Sequence, residues 1–339
     1  QPRDMQYVKL NTNESPFPPS QLAIEKAGEA MKCLQLYSDP ECKALVQSLS
    51  QLYQVDPQEV LFSNGSDEIL DFIFKAYCDE EHPAVFPDIT YGFYPVFADI
   101  NRVPFEEIPL RDDFSLDIAD YTRAGHKTVF IANPNAPTGL ALEPEQIEEI
   151  LRSNPDNIVV VDEAYVDFGA KSCVPLIPQY DNLLVVQTFS KSRSMAGARL
   201  GFVVGNRELI RDLNTVKYSV NPYNVNSMTM AAGIGALKDE AYRVRNSEII
   251  IKNREYTVRE LKKLGFVMTD SLANFIFVTH PLIDGEQLYL KLKERGVLIR
   301  HFSRERISQY NRITIGTREQ MDILLENVRK ICSEDPARS

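Results

Sequence analysis

The sequence predicts an α/β fold: a mostly parallel central sheet with helices on both faces, joined to a smaller α+β domain at the C-terminal end. Three features carry that expectation. Short runs of branched apolar residues recur through the first two thirds of the chain, as in Val60-Leu61-Phe62, Ala84-Val85-Phe86, Ile158-Val159-Val160-Val161 and Leu183-Leu184-Val185-Val186. Runs without polar alternation suit strands buried on both faces. Stretches with helical spacing separate them, and strands that alternate with helices pair in parallel. Beyond about residue 265 the pattern changes to short strands, Val267–Thr269, Phe275–Thr279, Val297–Arg300 and Arg312–Ile315, around helices Gly285–Arg295 and Arg318–Ile331.

In chain order, Leu10-Asn11-Thr12-Asn13-Glu14-Ser15-Pro16-Phe17-Pro18-Pro19 is excluded from a regular helix by its three prolines and reads as an irregular arm. Helical periodicity runs from Ser20 to Leu34, breaks near Tyr37-Ser38-Asp39-Pro40, and resumes from Cys42 to Tyr53. Strand Val60–Phe62 then turns through Ser63-Asn64-Gly65-Ser66-Asp67-Glu68 into a helix over Ile69–Tyr77. Free N–H groups at a helix start, approached closely through a glycine, make an anion site, so Gly65, Ser66 and Asp67 could cradle a phosphate. Capping of the helix by Ser63 or Ser66 is the competing reading.

Strand Ala84–Phe86 ends in Pro87-Asp88-Ile89-Thr90-Tyr91-Gly92-Phe93-Tyr94, where an aromatic ring can stack on a planar heterocycle or simply pack in the core. After a strand near Val103–Ile108, Thr128–Ala132 leads into Asn133-Pro134-Asn135-Ala136-Pro137-Thr138-Gly139, which its prolines and glycine fix as a rigid loop. A helix over Glu143–Leu151 returns the chain to strand Ile158–Val161, and Asp162-Glu163-Ala164-Tyr165 ends it. A carboxylate at so apolar a tip needs a partner, either a structural salt bridge or a protonated ring nitrogen.

Strand Leu183–Val186 delivers Thr188, Ser190 and Lys191 to the edge where open α/β sheets bind ligands. A desolvated lysine loses its proton more readily and can then condense with an aldehyde. Arg199 adds a forked cation, and Thr188 and Ser190 add hydroxyls, a set suited to a phosphorylated aldehyde. A strand over Leu200–Val204, a helix over Arg207–Lys217 and mixed helical spacing over Met228–Leu264 lead into the last part. The expected division is an N-terminal arm and helix at 1–35, a large cofactor-binding domain at 36–235 and a small C-terminal domain at 236–339, with no Pro- or Gly-rich linker between them.

Composition narrows the function. At 339 residues the chain exceeds what one core usually supports. A net charge of -11 disfavours nucleic acid as a partner, and no apolar run approaches the roughly 20 residues that span a bilayer. The five cysteines are odd in number and widely spaced, as are the four histidines, which disfavours disulfides and metal and suits a reducing cytoplasm. Gly233-Ile234-Gly235 lacks the third glycine of a dinucleotide fingerprint and follows no predicted strand. The chain begins at Gln1 rather than Met, which leaves room for native residues ahead of it.

Thr188-Phe189-Ser190-Lys191, followed by Ala196-Gly197 and Arg199-Leu200-Gly201-Phe202, resembles the lysine motif of the pyridoxal-phosphate aminotransferases related to aspartate aminotransferase, most closely the histidinol-phosphate aminotransferases. Nearly the whole chain shares the resemblance. It implies that Lys191 binds pyridoxal 5'-phosphate covalently, with Thr188, Ser190, Arg199 and the Asn64-Gly65-Ser66-Asp67-Glu68 turn on its phosphate. It further assigns Tyr91 to stacking, Asp162 to the ring nitrogen and Tyr165 to the ring oxygen. The Leu10-Asn11-Thr12-Asn13-Glu14 segment resembles the family's arm across the active site and brings Asn13 to the substrate. Tyr37 would reach the cofactor phosphate of a second subunit, making a homodimer, or else pack locally. Arg312 and Arg300 resemble family arginines on the substrate's carboxylate and phosphate, and each could instead be a surface residue at a strand end. One departure stands out: the family's asparagine before Pro-Thr-Gly is Ala136, which leaves Asn135 as its substitute or Tyr165 acting alone.

The expected activity is transamination of L-histidinol phosphate with 2-oxoglutarate. Threonine-phosphate decarboxylation and a broader aromatic aminotransferase activity are the alternatives. A non-catalytic aminotransferase-like domain would require an attached DNA-binding module, and no basic segment supplies one.

Overall fold

The computed structural model describes residues 6–334, so Gln1 and the ends of the first and last predicted segments lie outside the described residues. Its central feature is a seven-stranded sheet in the spatial order Val60–Ser63, Gly201–Gly205, Leu183–Thr188, Val159–Asp162, Thr128–Ala132, Ala84–Pro87, Phe105–Ile108. All neighbouring pairs are parallel except those of Gly201–Gly205, which runs against both its neighbours. Because that one strand is reversed between two others, the C-terminal ends at Ser63, Pro87, Ala132, Asp162 and Thr188 all reach the same edge.

Alternate residues of each strand serve opposite faces, as the period of two requires. Val85, Val129, Val159, Val161 and Val185 join one core with helices Lys43–Tyr53, Pro144–Ser153 and Ser227–Lys238. Phe86, Phe130, Val160, Leu184 and Val186 join the other with helices Ser66–Tyr77, Tyr94–Asn101 and Arg207–Val220. Both faces are therefore dry, and the absence of polar alternation in the sequence follows from that.

The C-terminal part packs a four-stranded antiparallel sheet, in the order Arg300–His301, Asn311–Thr314, Phe275–Thr279, Val267–Met268, against helices Gly285–Glu294 and Arg318–Ser333. The mixed helical region resolves into two helices, Ser227–Lys238 and Glu240–Lys263, with a break at Asp239. Residue 235 thus falls inside a helix whose Ala236 and Leu237 still belong to the large-sheet core.

Two local expectations are corrected. Helix Ser20–Leu34 is a shorter helix, Gln21–Ala30, with Ser20 as its N-cap, followed by one tighter turn at Met31–Cys33. The stretch Leu10–Pro19 carries no helix or strand, as expected, and it is anchored at its start: Val8–Lys9 pairs in parallel with Val297–Leu298, and Thr314 N–H donates to Leu10 O at 2.9 Å. The expected strand Val297–Arg300 divides at Ile299, its first half pairing with the arm and Arg300–His301 pairing with Asn311–Arg312.

Two glycines shape the edge. Gly65 has φ +91, a backbone conformation that side chains avoid. At Gly201 a Cβ would collide with the backbone of Gly65 and Ser66, so the strand can lie against the turn only as glycine. Gly201→Ala is expected to lower stability by about 1–3 kcal/mol in chemical denaturation, because backbone cannot swing aside. Gly197→Ala, whose Cβ meets open space, is expected to stay within about 0.5 kcal/mol of the parent.

Candidate active site

The five strand ends surround a cavity of about 90 Å³ lined by Ser66, Asp67, Tyr91, Asp162, Tyr165, Thr188, Ser190, Lys191 and Arg199 together with Ala132, Pro134, Ala136 and Ala164. Tyr91, Ala136, Tyr165 and Lys191 also line an adjoining cavity of about 910 Å³, whose far wall includes Asn13, Arg300 and Arg312. Of the predicted site residues, Gly65 sits behind the smaller cavity at the start of helix Ser66–Tyr77. Tyr37 alone stands apart: it is 85% exposed, with its ring stacked on Tyr223 at 4.7 Å.

At the phosphate end, no side chain caps helix Ser66–Tyr77. Glu68 instead reaches back to accept from Asn64 N–H at 2.8 Å and from the Ser63 hydroxyl, so neither Ser63 nor Ser66 has the capping role. The first-turn N–H groups are left for an anion. Thr188 Oγ1 and Ser190 Oγ lie 2.9 Å apart, and Arg199 pairs with Asp67 at 3.2 Å. The Asp67 carboxylate also accepts from the Tyr91 hydroxyl at 2.7 Å. That side chain therefore orients Tyr91 and Arg199, and what it can offer a phosphate is its backbone N–H.

Asp162 is buried at the strand tip, and among the described residues no basic side chain pairs with it. Its donors are the Tyr94 hydroxyl at 3.1 Å and Ala164 N–H at 3.2 Å. Burial pushes its pKa up to about 6 against these hydrogen bonds, which pull it down. Its neighbour Glu163, also buried, is pushed up to about 7 for the same reason, although Ser172, Cys173 N–H and Gln187 all donate to it. The salt bridge that would have explained Asp162 structurally is not there.

Tyr165 is buried beneath the arm, and Lys191 Nζ stands 5.7 Å from its ring centroid. Its hydroxyl accepts from Asn13 Nδ2 at 3.0 Å. Asn13 is itself fixed by Thr314, whose hydroxyl donates to Asn13 Oδ1 at 3.0 Å, and by Asn274, which donates to its carbonyl at 3.0 Å. The Asn135 amide is engaged away from the cavity: it accepts from Thr90 at 2.7 Å and donates to Ile89 O, both on the Pro87–Tyr94 segment, and to Thr138 of its own loop.

Arg300 and Arg312 are direct partners across antiparallel strands. Like charges so placed repel, and an anion between them relieves the repulsion. Burial lowers the pKa of Arg312, and the Arg300 charge adds to that effect. Arg312 donates to Asn11 O at 3.2 Å, while its buried Nε has no partner among the described residues. Sequence reasoning missed Asn11 and Tyr94. Tyr94 had a visible signal, since it closes the Pro87-x-x-x-Tyr91-x-x-Tyr94 segment.

These residues fit pyridoxal phosphate. A buried carboxylate without a cation can face the ring nitrogen, uncapped N–H groups with Arg199 can take the phosphate, and Lys191 opens into the space between.

The family described as aminotransferase class I and II matches residues 5–328. Histidinol-phosphate aminotransferase of Brachyspira hyodysenteriae is 48% identical over 333 residues, covering 98% of this chain and 94% of that protein. Its counterpart from a Marinomonas species is 49% identical over 327 residues, covering 96% and 93%. The histidinol-phosphate aminotransferase of Sinorhizobium meliloti in complex with pyridoxal-5'-phosphate superposes with a TM-score of 0.88 at 23% identity, covering 96% of this chain and 90% of that one, and so shares the fold.

The two raised carboxyls set a pH dependence. Asp162 and Glu163 bind their protons more tightly folded than unfolded, so their stability contribution is complete below about pH 4. It is lost as pH rises through about 6 for Asp162 and about 7 for Glu163. In cofactor-free protein, Asp162→Asn is therefore expected to gain stability on the parent between pH 5 and 8. The gain expected in denaturation curves is on the order of 3 kcal/mol, from a shift of 3.8 to about 6.

Proposed function

The chain belongs to the class I and II aminotransferases, and we propose that it transfers the amino group of L-histidinol phosphate to 2-oxoglutarate with pyridoxal 5'-phosphate as cofactor. The substrate reading rests on the names of relatives 48% and 49% identical over nearly the full chain. Within the chain, the observation that carries it is the Arg300–Arg312 pair facing the larger cavity, a site for an anion at a distance from Lys191.

When bound, the cofactor supplies a ring that accepts the electron pair left on the substrate carbon as its proton departs. Nζ of Lys191 would take that proton from the carbon bearing the amine and deliver it on, as base and then acid. Asp162, ionised, would keep the ring nitrogen protonated, and the Tyr165 hydroxyl, already accepting from Asn13, would direct its own proton to the ring oxygen. Tyr91 would cover one ring face. Gly65, Ser66 and Asp67 through their backbone, with Thr188, Ser190 and Arg199, would hold the phosphate. Arg312 would fork onto the carboxylate of glutamate in one half-reaction and join Arg300 and the arm residue Asn13 around the substrate phosphate in the other.

Tyr37, exposed and not among the residues lining either cavity, supports a homodimer in which it reaches the partner's phosphate. A particle of twice 38.6 kDa in sedimentation is the matching observation. The arm and helix at 1–35, a cofactor-binding domain at 36–235 and a C-terminal domain at 236–339 remain the proposed division; the nearest helix break to the last boundary is at Asp239. No helix among the described residues is long and apolar enough to cross a membrane, and Cys42, Cys78, Cys173 and Cys332 are buried. A reducing cytoplasm suits them.

A substrate panel tests the reading. Histidinol phosphate is expected to consume 2-oxoglutarate and yield glutamate without carbon dioxide. Carbon dioxide released from threonine phosphate without keto-acid consumption would overturn it, and faster turnover of phenylalanine would move the activity to aromatic amino acids. Arg312→Lys keeps the charge but loses the fork, so kcat/KM for 2-oxoglutarate is expected to fall by about 30-fold or more.

A further inference from the structure

Tyr94 has no part in the residue assignments above, yet it makes the only side-chain hydrogen bond to Asp162 among the described residues. It opens helix Tyr94–Asn101 and is fully buried. Its ring is wedged against Phe86 at 5.6 Å, Phe130 at 5.7 Å and Tyr91 at 5.6 Å, the last edge-on at 80°. A phenol so enclosed must find a partner for its O–H. Core packing alone does not choose that partner, and the acceptor is Oδ2 of the carboxylate that faces the smaller cavity.

The same short turn holds both aromatic contacts to the site. Tyr94 N–H donates to Tyr91 O at 3.2 Å, so the ring placed to cover the cofactor and the hydroxyl on Asp162 move as one piece. Among charged groups, Asp67 pushes the Asp162 pKa up and Lys191 pulls it down, so their effects oppose each other. With no cation paired to it, the Asp162 carboxylate depends on donated hydrogen bonds to stay ionised and in one rotamer. Ala164 N–H fixes Oδ1 at 3.2 Å and Tyr94 fixes Oδ2.

Building on the pyridoxal-phosphate reading of the site, we propose that Tyr94 is a positioning residue for the cofactor's ring nitrogen: its hydroxyl holds Asp162 ionised and oriented toward that nitrogen from behind. Tyr94 touches neither cofactor nor substrate. It acts through Asp162, and burial raises the pKa of its own hydroxyl far enough to keep it a donor throughout the working range.

The test uses Tyr94→Phe, which keeps the ring and removes only the donor, alongside Asp162→Asn and the double variant. In the full-length loaded protein, Tyr94→Phe is expected to weaken cofactor binding by about 10-fold or more, the usual scale of a hydrogen bond to a charged group. It is also expected to shift the pH midpoint of the cofactor's visible absorbance. In the cofactor-free protein the pH window in which Asp162 loses its proton is expected to move upward. In the Asp162→Asn background the same change is expected to do nothing further to binding or absorbance. A purely structural tyrosine would lower the melting temperature equally at every pH and leave the absorbance midpoint where it was. That result, beside an Asp162→Asn variant that does weaken binding, overturns the Tyr94 assignment alone. If Asp162→Asn binds the cofactor as tightly as the parent, the site reading itself fails and Tyr94's role goes with it.

Discussion

A carboxylate buried at the tip of a four-residue strand, with no salt-bridge partner among the described residues, is the constraint on which the site depends. Asp162 is held by one hydroxyl and one backbone N–H, and burial works against its charge. A fold keeps such a group when something outside the chain compensates it. A protonated ring nitrogen would do so, and the other strand ends carry side chains suited to the rest of that ring and its phosphate.

The architecture makes this arrangement possible. A parallel sheet sends its strand ends to one edge, and the single reversed strand Gly201–Gly205 lets Val60–Ser63 point the same way as Leu183–Thr188. Its Gly201 lies so close to the Gly65–Ser66 turn that the helix start and the lysine strand form one surface. The second sheet then closes the far side with two arginines on adjacent strands, and the arm ties both parts together through Asn13.

Much of this was legible in the sequence, for a physical reason. Residues at strand ends follow apolar runs directly, so Lys191, Asp162, Tyr91 and the Gly65-Ser66-Asp67 turn could be located from hydropathy before any contact was known, and the class of fold followed from the same runs. What escaped depends on long-range pairing. The Asn13–Tyr165 bond joins residues 152 apart, and nothing local in the arm says that Val8–Lys9 will extend along Val297–Leu298. Register hid the facing of Arg300 and Arg312, because the break at Ile299 sends one apparent strand into two sheets. Tyr94 is buried in the core, and its hydroxyl's choice of Asp162 shows only in three dimensions. Asn135 is offered by the sequence as a stand-in for the missing asparagine, and only the fold shows its amide engaged with Thr90 and Ile89 of a segment some 45 residues away.

The central claim is that Lys191 is the covalent attachment point of pyridoxal phosphate at this edge. Borohydride reduction of the loaded protein followed by peptide mass mapping tests it directly. The account predicts the reduced cofactor's added mass on the peptide containing Lys191 and on no other lysine; an unmodified Lys191, or the mass on a different lysine, would contradict it.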